Sequence, residues 1–293
     1  MIDITFLGTS GSIPTPERNL PAIFLKVNGI NILFDCGEGT QRQMMNYKVG
    51  FGSIDAVFIT HAHLDHYLGL FGLIETLRLS QPSPKQVSLF VPEELFEIFT
   101  SKNYSFLNIQ KIKSGKLLKI KDFTISAFTV KHSKNSFGFI LQEDDKIKFY
   151  EEKAHALGLQ GELFTKIQKR GFVKIKDKKV TLKEVSFVKP GKKLVYTGDC
   201  APSLTIIKAA KNADLLIHEA TFDTAFTKEA KERMHSTAKQ AAEVAKKANV
   251  NQLILTHISP RYSKDEFVST LLNEAQILFT STRLAKDGLT IRL

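Results

Sequence analysis

Short apolar runs separated by polar turn residues fill the first third of the chain. They are found at residues 2–7, 22–27, 30–34 and 56–59. Runs of this length that are bounded by Gly, Asn or Asp are typical of buried β-strands joined by tight turns. Leu and Phe then recur at helical spacing over 67–80, and later strands are predicted at 87–91, 123–130 and 137–141. The chain is therefore predicted to begin as a sheet.

Apolar strands alternate with helices in the last third of the chain. The predicted strands lie at 194–197, 215–217 and 253–256. A helix is predicted to begin after Thr237 and to continue to Ala248, because Thr237 and Gln240 have the spacing of a capping box. A second helix is predicted from Ser263, with Glu266 three residues later. This alternation indicates strands flanked by helices.

The same dipeptide ends two of the apolar strands. Asp35-Cys36 follows one strand of the first third, and Asp199-Cys200 follows one strand of the last third. The repetition suggests an internal duplication, with two sheets packed face to face and helices outside. One short match does not by itself establish a repeat.

Length and composition are those of a globular α/β chain. The 293 residues are 43% hydrophobic and 24% charged, enough to bury one large core or two small ones. No apolar run approaches the roughly 20 residues that cross a bilayer, and residues 1–8 lack the basic start of a signal peptide. A cytoplasmic protein is therefore expected. Cys36 and Cys200 are expected to be buried thiols, with a single bridge between them left open.

The charge is unusual for an enzyme of small neutral metabolites. The formal net charge is +11 and the isoelectric point is near 9.4, which favours a polyanionic partner such as nucleic acid. Lysine is concentrated at about 151–193, where few acidic residues accompany it. We predict a single domain over residues 1–293 with this segment inserted as a projecting basic arm. The alternative is a solvated loop with ordinary lysines.

Three imidazoles and one carboxylate fall within six residues directly after the apolar run 56–60. They are His61, His63, Asp65 and His66. Imidazole nitrogen and carboxylate oxygen are the donors that Zn²⁺ and similar ions prefer, and a buried strand holds their backbone rigidly. The alternative is a polar turn rich in histidine. Since the four side chains point in different directions, they could serve two ions.

Three more candidate ligands each follow an apolar strand. They are His132, Asp199 and His257. Taken singly, the histidines are more often loop residues and the aspartate a turn cap. They become candidate metal ligands because strand ends present side chains together at one rim of a sheet, where these residues could lie beside the cluster at 61–66.

These residues resemble the metallo-β-lactamase superfamily, whose hallmark is His-x-His-x-Asp-His after a strand, followed by a distant His, Asp and His. Within it the chain is similar, over nearly its whole length, to the ribonuclease Z family of tRNA 3′-processing endonucleases. The resemblance is carried by residues 8–11 (Gly-Thr-Ser-Gly), 14–19 (ending in Arg-Asn), 34–41 (Phe-Asp-Cys-Gly-Glu-Gly-Thr-Gln), 218–222 (His-Glu-Ala-Thr-Phe) and 235–237 (His-Ser-Thr).

The resemblance implies an α/β fold, an αββα sandwich of two sheets with flanking helices, and a homodimer. It also implies two Zn²⁺ ions per subunit at the rim between the sheets, although Mn²⁺ or another divalent metal remains open. The family pattern assigns one zinc to His61, His63 and His132, the other to Asp65, His66 and His257, and the bridging position to Asp199. Every position of that pattern is filled here.

The implied reaction removes the 3′ trailer from precursor tRNA, leaving a 3′-hydroxyl on the tRNA and a 5′-phosphate on the trailer. Two neighbouring metal ions suit such a displacement at phosphorus. Asp65 is the expected proton acceptor, and His235 is expected to protonate the leaving oxygen. Glu219 is expected to orient His235 and to raise its pKa. The alternative for His235 is that it caps the helix that follows.

The basic arm is predicted to hold RNA, and in the family the arm of one subunit holds the tRNA that the other cleaves. The predicted RNA contacts are Arg18, Asn19, Lys166, Lys169 and Arg170. Pro16 stands where relatives often have Lys, and Gln-Gly-Glu-Leu-Phe at 160–164 stands where the arm usually has Gly-Pro. These departures concern the grip on RNA and leave the metal ligands untouched.

Two other functions share part of this pattern. A related hydrolase of thioesters, lactams or small phosphodiesters would use the same ligands, although it needs no basic arm. An RNA-binding protein with structural metals is a non-enzymatic alternative. Structural zinc is normally closed by four protein ligands, whereas seven ligands shared by two ions leave positions open.

Overall fold

The computed structural model describes residues 1–80, 84–262 and 265–293. Two compact units are present: Met1–Leu141 with Lys193–Leu293, and Gln142–Lys192. The described strands are β1 (Ile2–Gly8), β2 (Ala22–Val27), β3 (Ile30–Phe34), β4 (Ala56–Phe58), β5 (Val87–Val91), β6 (Leu107–Lys111), β7 (Gly115–Ile120), β8 (Phe123–Thr129), β9 (Phe137–Glu143), β10 (Lys146–Phe149), β11 (Phe172–Ile175), β12 (Lys178–Thr181), β13 (Ser186–Lys189), β14 (Lys193–Tyr196), β15 (Leu215–Glu219), β16 (Leu253–Thr256), β17 (Thr282–Leu284) and β18 (Thr290–Arg292).

The α-helices lie between these strands. In chain order the described helices are α1 (Thr40–Asn46), α2 (Leu64–Tyr67), α3 (Gly69–Ser80), α4 (Glu93–Thr100), α5 (Glu151–Ala156), α6 (Glu162–Arg170), α7 (Leu182–Val185), α8 (Leu204–Ala210), α9 (Thr227–Glu232), α10 (Ala238–Ala248) and α11 (Asp265–Leu278). The predicted start of the last helix at Ser263 and its capping side chain Glu266 lie outside what is described.

The strands of the first unit form two large sheets. Among the described residues each sheet has seven strands, in the orders β18-β1-β2-β3-β4-β5-β6 and β17-β16-β15-β14-β9-β8-β7. Neighbours from β3 to β6 are parallel, and so are neighbours from β14 to β17. Parallel strands bring their carboxyl ends to one edge of a sheet, where ligands commonly bind.

One apolar core lies between the two sheets. Phe34 of β3 stacks on Tyr196 of β14 with ring centroids 5.9 Å apart, and lies 5.1 Å from the ring of Phe139 in β9. Phe58 of β4 and Ile217 of β15 belong to the same buried cluster. Side chains of both inner faces therefore interdigitate, as expected for packed sheets.

Helices cover the outer face of each sheet. Met44 of α1 and Phe99 of α4 are buried against the first sheet, together with the apolar side of α3. Ile206 of α8, Ala241 of α10 and Leu271 of α11 are buried against the second sheet. The predicted αββα sandwich is therefore confirmed.

Several predicted elements have the observed bounds, and one helix is divided. β2, β3, β5 and β16 begin and end as predicted. The helix predicted over 67–80 is split before Gly69, whose backbone runs against Gly37; a Cβ there would lie 2.0 Å from the Gly37 carbonyl oxygen. The capping box at Thr237 is present, because its Oγ1 accepts from the Gln240 backbone and Gln240 accepts from the Thr237 backbone.

The unit Gln142–Lys192 has a core of its own. It contains two antiparallel strand pairs, β10 with β13 and β11 with β12, and the helices α5, α6 and α7. Ala154, Ile167 and Val180 are among its buried residues. The lysine-rich segment is thus a folded unit that starts before the predicted boundary, at Gln142. Its projection from the rest of the chain stays a prediction.

Two smaller expectations concern the membrane and the thiols. No helix in the described part of the chain has the length and apolarity to cross a bilayer.

Cys36 and Cys200 are both free and buried, so the expectation of buried thiols is met. Burial raises the pKa of Cys36 to about 12, with smaller effects of Thr40 and Asp35, and this thiol is therefore inert at neutral pH.

Candidate metal centre

Strand ends bring the candidate ligands together. His61 follows β4, His132 follows β8, Asp199 follows β14 and His257 follows β16. His63, by contrast, directly precedes the short helix α2, which carries Asp65 and His66. Since β14, β15 and β16 are parallel, their carboxyl ends present side chains at one edge of the second sheet.

The first group of ligand atoms belongs to three histidines and Asp199. Their nearest ligand atoms lie within 4.8 Å of one another. Nε2 of His132 is 3.1 Å from Nδ1 of His63 and 3.8 Å from Oδ2 of Asp199. Nε2 of His61 is also 3.8 Å from that oxygen. The backbone carbonyl of Met234 accepts a hydrogen bond from Nδ1 of His132, which leaves Nε2 for the centre.

The second group is formed by Asp65, His66 and His257. Oδ2 of Asp65 lies 3.7 Å from Nε2 of His66 and 3.6 Å from Nε2 of His257. The two imidazoles are buried, and Asp65 is partly exposed. These three residues therefore form a second compact group that could hold a metal ion, and their assignment to one ion stays a prediction.

Asp199 lies between the two groups. Its Oδ1 is 3.4 Å from Nε2 of His66, and its Oδ2 is 3.2 Å from Nε2 of His257. The same Oδ2 faces His61 and His132 of the first group. One carboxylate thus offers an oxygen to each group, which is the geometry that a bridging ligand requires.

The donor set fits divalent metal. Buried polar atoms almost always have hydrogen-bond partners, and an exception points to a missing ion or water. Four buried atoms of this cluster make no hydrogen bond: Nε2 of His61, Nε2 of His66, Nε2 of His257 and Oδ1 of Asp199. The three imidazole nitrogens each lie within 3.8 Å of an oxygen of Asp199. Imidazole and carboxylate donors of this kind suit Zn²⁺ and other first-row ions.

The protonation states agree with a ligand role. Burial is the main cause that lowers the pKa of His61, His63 and His132, so these imidazoles are neutral. Burial also opposes charge on His66, but Asp199 and other carboxylates hold its pKa well above the usual value. The field at His66 is therefore negative enough to attract a cation. Neutral imidazole and ionised carboxylate are the forms that bind metal.

A buried network beneath the centre holds two ligands. Asp35 accepts from Nδ1 of His66 at 2.9 Å, from the Tyr196 hydroxyl at 2.8 Å and from the Thr60 backbone at 2.8 Å. The Thr60 hydroxyl also lies 3.0 Å from Nδ1 of His61. Sequence reasoning missed Thr60 and Tyr196 as functional residues, and it noted Asp35 only within the Asp-Cys dipeptide and the motif at 34–41, without a role.

A second network orients His257 and His235. The Thr221 hydroxyl lies 2.9 Å from Nδ1 of His257 and donates to Oε2 of Glu219 at 2.6 Å. Oε1 of Glu219 lies 2.8 Å from Nδ1 of His235 and accepts from the Cys200 backbone at 2.7 Å. Glu219 therefore lies beside His235. Its carboxylate also binds Thr221, and Thr221 contacts the candidate metal ligand His257. Thr221 was not identified from the sequence.

Glu219 favours the protonated form of His235. Its burial opposes protonation, but the carboxylate of Glu219 outweighs that effect and raises the pKa of His235 to about 9. His235 does not cap the following helix, because Thr237 has that position. Its ring lies 5.5 Å from that of His257 between centroids. His218, unlike His235, is fully buried, and its Nδ1 lies 2.8 Å from the Glu219 carbonyl oxygen.

The loop after β1 closes one side of the centre. The backbone N–H of Ser12, which has a positive φ of 64°, donates to Oδ2 of Asp65 at 2.9 Å. Gly11 lies against His257, and a Cβ at this position would be 2.7 Å from the imidazole. Only glycine leaves room for that ring.

The predicted RNA contacts in this loop are engaged within the fold. Nη1 of Arg18 donates to the Thr9 hydroxyl and to the carbonyl of Ala285, each at 2.7 Å. Nδ2 of Asn19 donates to the Glu38 carbonyl at 2.9 Å. These bonds show a role in holding the loop, and contact with RNA stays a prediction.

The other predicted RNA contacts share one helix. Lys166, Lys169 and Arg170 are exposed on α6, whereas Ile167 of the same helix is buried. Lys166 pairs with Glu162 at 3.2 Å across one helical turn. Exposed cations on one helix face form a surface that suits phosphate groups.

We expect Asp35→Asn to weaken metal binding by about 10- to 100-fold, the usual effect of losing a partner that orients a ligand. Tyr196→Phe removes one of the hydrogen bonds to Asp35 and should have a smaller effect in the same direction. Competition with a chromophoric chelator measures the affinity directly. The matched control is Tyr104→Phe, which removes a phenol that donates to Glu75 outside the centre. Unchanged affinity in Asp35→Asn would contradict the assigned role of this network.

Comparison with known proteins finds relatives over nearly the whole chain. A family model described as Anti-Pycsar protein Apyc1 matches residues 2–277. Ribonuclease Z of Archaeoglobus fulgidus is 45% identical over 303 residues, which cover 100% of this chain and 98% of that protein. The crystal structure of human tRNase Z, short form, has a TM-score of 0.69 and 28% identity, and covers 99% of this chain and 98% of that chain. The metallo-β-lactamase fold protein YhfI from Bacillus subtilis has a TM-score of 0.74 and 19% identity, with 100% of both chains covered.

Proposed function

Because the chain belongs to the ribonuclease Z family and to the family that the Apyc1 model describes, we propose that it removes the 3′ trailer from precursor tRNA. It is a metal-dependent nuclease that hydrolyses phosphodiester bonds. The products are a tRNA with a 3′-hydroxyl and a trailer with a 5′-phosphate, and the reaction takes place in the cytoplasm. The observation that carries the proposal is Asp199, whose Oδ1 faces His66 of one ligand group and whose Oδ2 faces His61 and His132 of the other.

The residues that would hold the metal are the two groups described above. We propose two Zn²⁺ ions, with His61, His63 and His132 on one, Asp65, His66 and His257 on the other, and Asp199 shared. Bound divalent ions supply positive charge that stabilises the negative charge developing on the phosphate and favours deprotonation of the attacking water. The four buried atoms without hydrogen bonds support this assignment.

Asp65 is proposed to accept a proton from the attacking water. Its Oδ2 receives a hydrogen bond from the Ser12 backbone, which fixes the carboxylate, and its side chain is 14% exposed. Nearby His66 and His257 outweigh the effect of burial and hold the pKa of Asp65 below its usual value. The carboxylate is therefore ionised and able to orient the water.

His235 is proposed to protonate the leaving 3′ oxygen. Glu219 binds its Nδ1, so Nε2 is the nitrogen that can reach substrate. Only 11% of the side chain is exposed, and the proton is therefore shielded from bulk water. Glu219 acts through His235, which makes it a positioning residue rather than a group that touches the phosphate.

The unit Gln142–Lys192 is proposed to bind the tRNA away from the cut, within a homodimer in which it serves the partner's centre. Its exposed Lys166, Lys169 and Arg170 support this role, because cations neutralise phosphates without reading sequence. Arg18 and Asn19 are proposed to contact RNA through the loop that they hold.

Deleting Gln142–Lys192 should lower kcat/KM for precursor tRNA by about 10²-fold, because phosphate contacts carry most of the affinity. The retained ends, Leu141 and Lys193, belong to the neighbouring strands β9 and β14, and the Glu143 backbone donates to the Lys192 carbonyl at 2.8 Å directly beside them, so a short Gly-Ser linker can join these ends. Hydrolysis of bis-p-nitrophenyl phosphate should change only a few-fold. A matched control replaces Lys239, Lys246 and Lys247 of α10 by Gln. An equal loss of kcat/KM on both substrates would contradict the proposal that this unit acts by binding tRNA.

The decisive experiment incubates purified protein with a precursor tRNA bearing a 3′ trailer, with and without chelator, and maps both product ends. A chelator-sensitive cut at the trailer junction that leaves a 3′-hydroxyl on the tRNA supports the proposal. Turnover of small phosphodiesters or thioesters without any tRNA cut would instead identify a related hydrolase. RNA binding with no turnover of any substrate would indicate structural metals.

A further inference from the structure

An arginine packs on two phenylalanine rings beside the candidate centre. The guanidinium carbon of Arg261 lies 4.3 Å from the ring centroid of Phe226 and 4.9 Å from that of Phe222. Phe222 is buried, whereas 38% of Phe226 is exposed. Arg261 is exposed as well. An exposed aromatic ring with a guanidinium on it is a platform at the surface rather than a part of the core.

A row of rings leads from this platform to the metal ligands. The ring of Phe222 lies 6.4 Å from that of Phe226 and 6.0 Å from that of His235, between centroids. The ring of His235 in turn lies 5.5 Å from that of His257. Because His235 is assigned to the leaving oxygen, the platform lies close to the bond that is cut.

The platform is held in place by ion pairs and hydrogen bonds. Glu229 binds Arg261 through both carboxylate oxygens, at 3.1 and 3.4 Å, and also pairs with Arg233 at 3.2 Å. Two guanidiniums thus share the carboxylate of Glu229, while the carboxylates of Asp223 and Glu274 bind the backbone at the start of the same segment. The Tyr262 hydroxyl accepts from the Asp223 backbone at 2.8 Å and anchors the start of the segment that carries the exposed ring.

We propose that Phe226 and Arg261 form a subsite for one unpaired nucleotide next to the scissile phosphate, whose base stacks on Phe226. This inference rests on the proposed nuclease function and adds a contact to it. Proteins recognise single-stranded RNA by stacking its bases on aromatic rings and guanidinium planes. The guanidinium of Arg261 can also pair with the phosphate that each nucleotide carries. The subsite therefore binds the strand near the cut, whereas the lysine-rich unit binds it elsewhere.

The test combines variants of Phe226 with an abasic scan of the substrate. Precursor tRNAs carry a single abasic nucleotide at each position on either side of the cut, and kcat/KM is measured for wild-type protein, Phe226→Ala, Phe226→Leu and Phe226→Tyr. In wild-type protein one abasic position should lower kcat/KM by about 5- to 150-fold, the range of a base–aromatic stack. Phe226→Ala should lose a similar factor on the intact substrate, and the abasic change should then cost less than about twofold more.

The leucine and tyrosine variants separate stacking from packing. Phe226→Leu keeps most of the volume and should behave as Phe226→Ala does, whereas Phe226→Tyr keeps the ring and should retain activity. Ile277→Ala is the control for an exposed apolar residue, since 82% of Ile277 is exposed. Full activity of Phe226→Leu, or equal abasic effects in wild type and Phe226→Ala, would overturn the subsite. Failure of wild-type protein to cut the unmodified precursor would instead overturn the proposed function, and the subsite with it.

Discussion

Asp199→Asn should lower kcat for precursor tRNA by about 10³-fold or more, a loss as large as that of a preorganised electrostatic contact in an enzyme site. Asp199 is the carboxylate whose oxygens face both ligand groups, since Oδ2 lies 3.8 Å from Nε2 of His61 and Oδ1 lies 3.4 Å from Nε2 of His66. An amide keeps the shape but replaces one acceptor oxygen by an NH₂ donor and loses the negative charge, so we expect both proposed metal positions to bind less tightly. Metal content per subunit, measured by mass spectrometry, should fall in parallel.

The matched control for this prediction is Asp3→Asn. Asp3 pairs with Arg292 at 2.6 Å on the surface, and such pairs contribute at most about 1 kcal/mol to stability. This variant should keep its metal and its activity. Full metal content together with normal turnover in Asp199→Asn would show that this carboxylate does not bridge the two groups.

His235→Ala should lower kcat for precursor tRNA by about 10²- to 10⁴-fold, the usual contribution of a general acid. The metal content should stay unchanged, because His235 is not assigned to the metal. The loss should be much smaller on a phosphodiester with a p-nitrophenolate leaving group, because that group departs without a proton. Steady-state rates on the two substrates measure the difference.

Thr237→Val provides the control for a merely structural effect. It removes the side chain that accepts from the Gln240 backbone at the start of α10, at a cost of about 1 kcal/mol in the free energy of unfolding. Turnover should survive in this variant. If His235→Ala lowers stability in the same way and loses equal activity on both substrates, the role of His235 as an acid is wrong.

Glu219→Gln should give a smaller loss than His235→Ala on precursor tRNA. The amide still reaches Nδ1 of His235, now 2.8 Å from the carboxylate, but it no longer favours the protonated ring. Because Glu219 also accepts from the Thr221 hydroxyl, part of the loss should come from His257. On the p-nitrophenyl phosphodiester, whose leaving group needs no proton, the loss of kcat in Glu219→Gln should be smaller, because the contribution of His235 is no longer needed.

The local pattern of burial was readable from the chain. Alternating and continuous apolar runs predicted strands such as β2 and β16 with the observed bounds, since burial of one or both faces of a strand has a fixed period. The capping box at Thr237 was readable for the same reason, because its two partners lie within one helical turn. The cluster at 61–66 was readable because four donors fall within six residues.

Polar segments with structure of their own were harder to predict. The residues of α6 include Glu162, Lys166, Lys169 and Arg170, and this charge hid the buried Ile167 that helps to form a small core. The strand β6 also escaped prediction, since its side chains are mostly half-buried and do not alternate clearly. The composition of a segment shows that it is rich in charge, but it does not show that the segment folds into a unit with a core of its own.

The sequence by itself determined the chemistry of the donors, most of the central strands and the excess of positive charge, because each of these depends on residue type or short spacing. Only the tertiary structure decided which distant side chains meet. It brings the hydroxyl of Tyr196 to Asp35, places Thr221 on His257 and packs Arg261 on Phe226. Such contacts depend on how two sheets and their loops pack, and no local period of the chain encodes that packing.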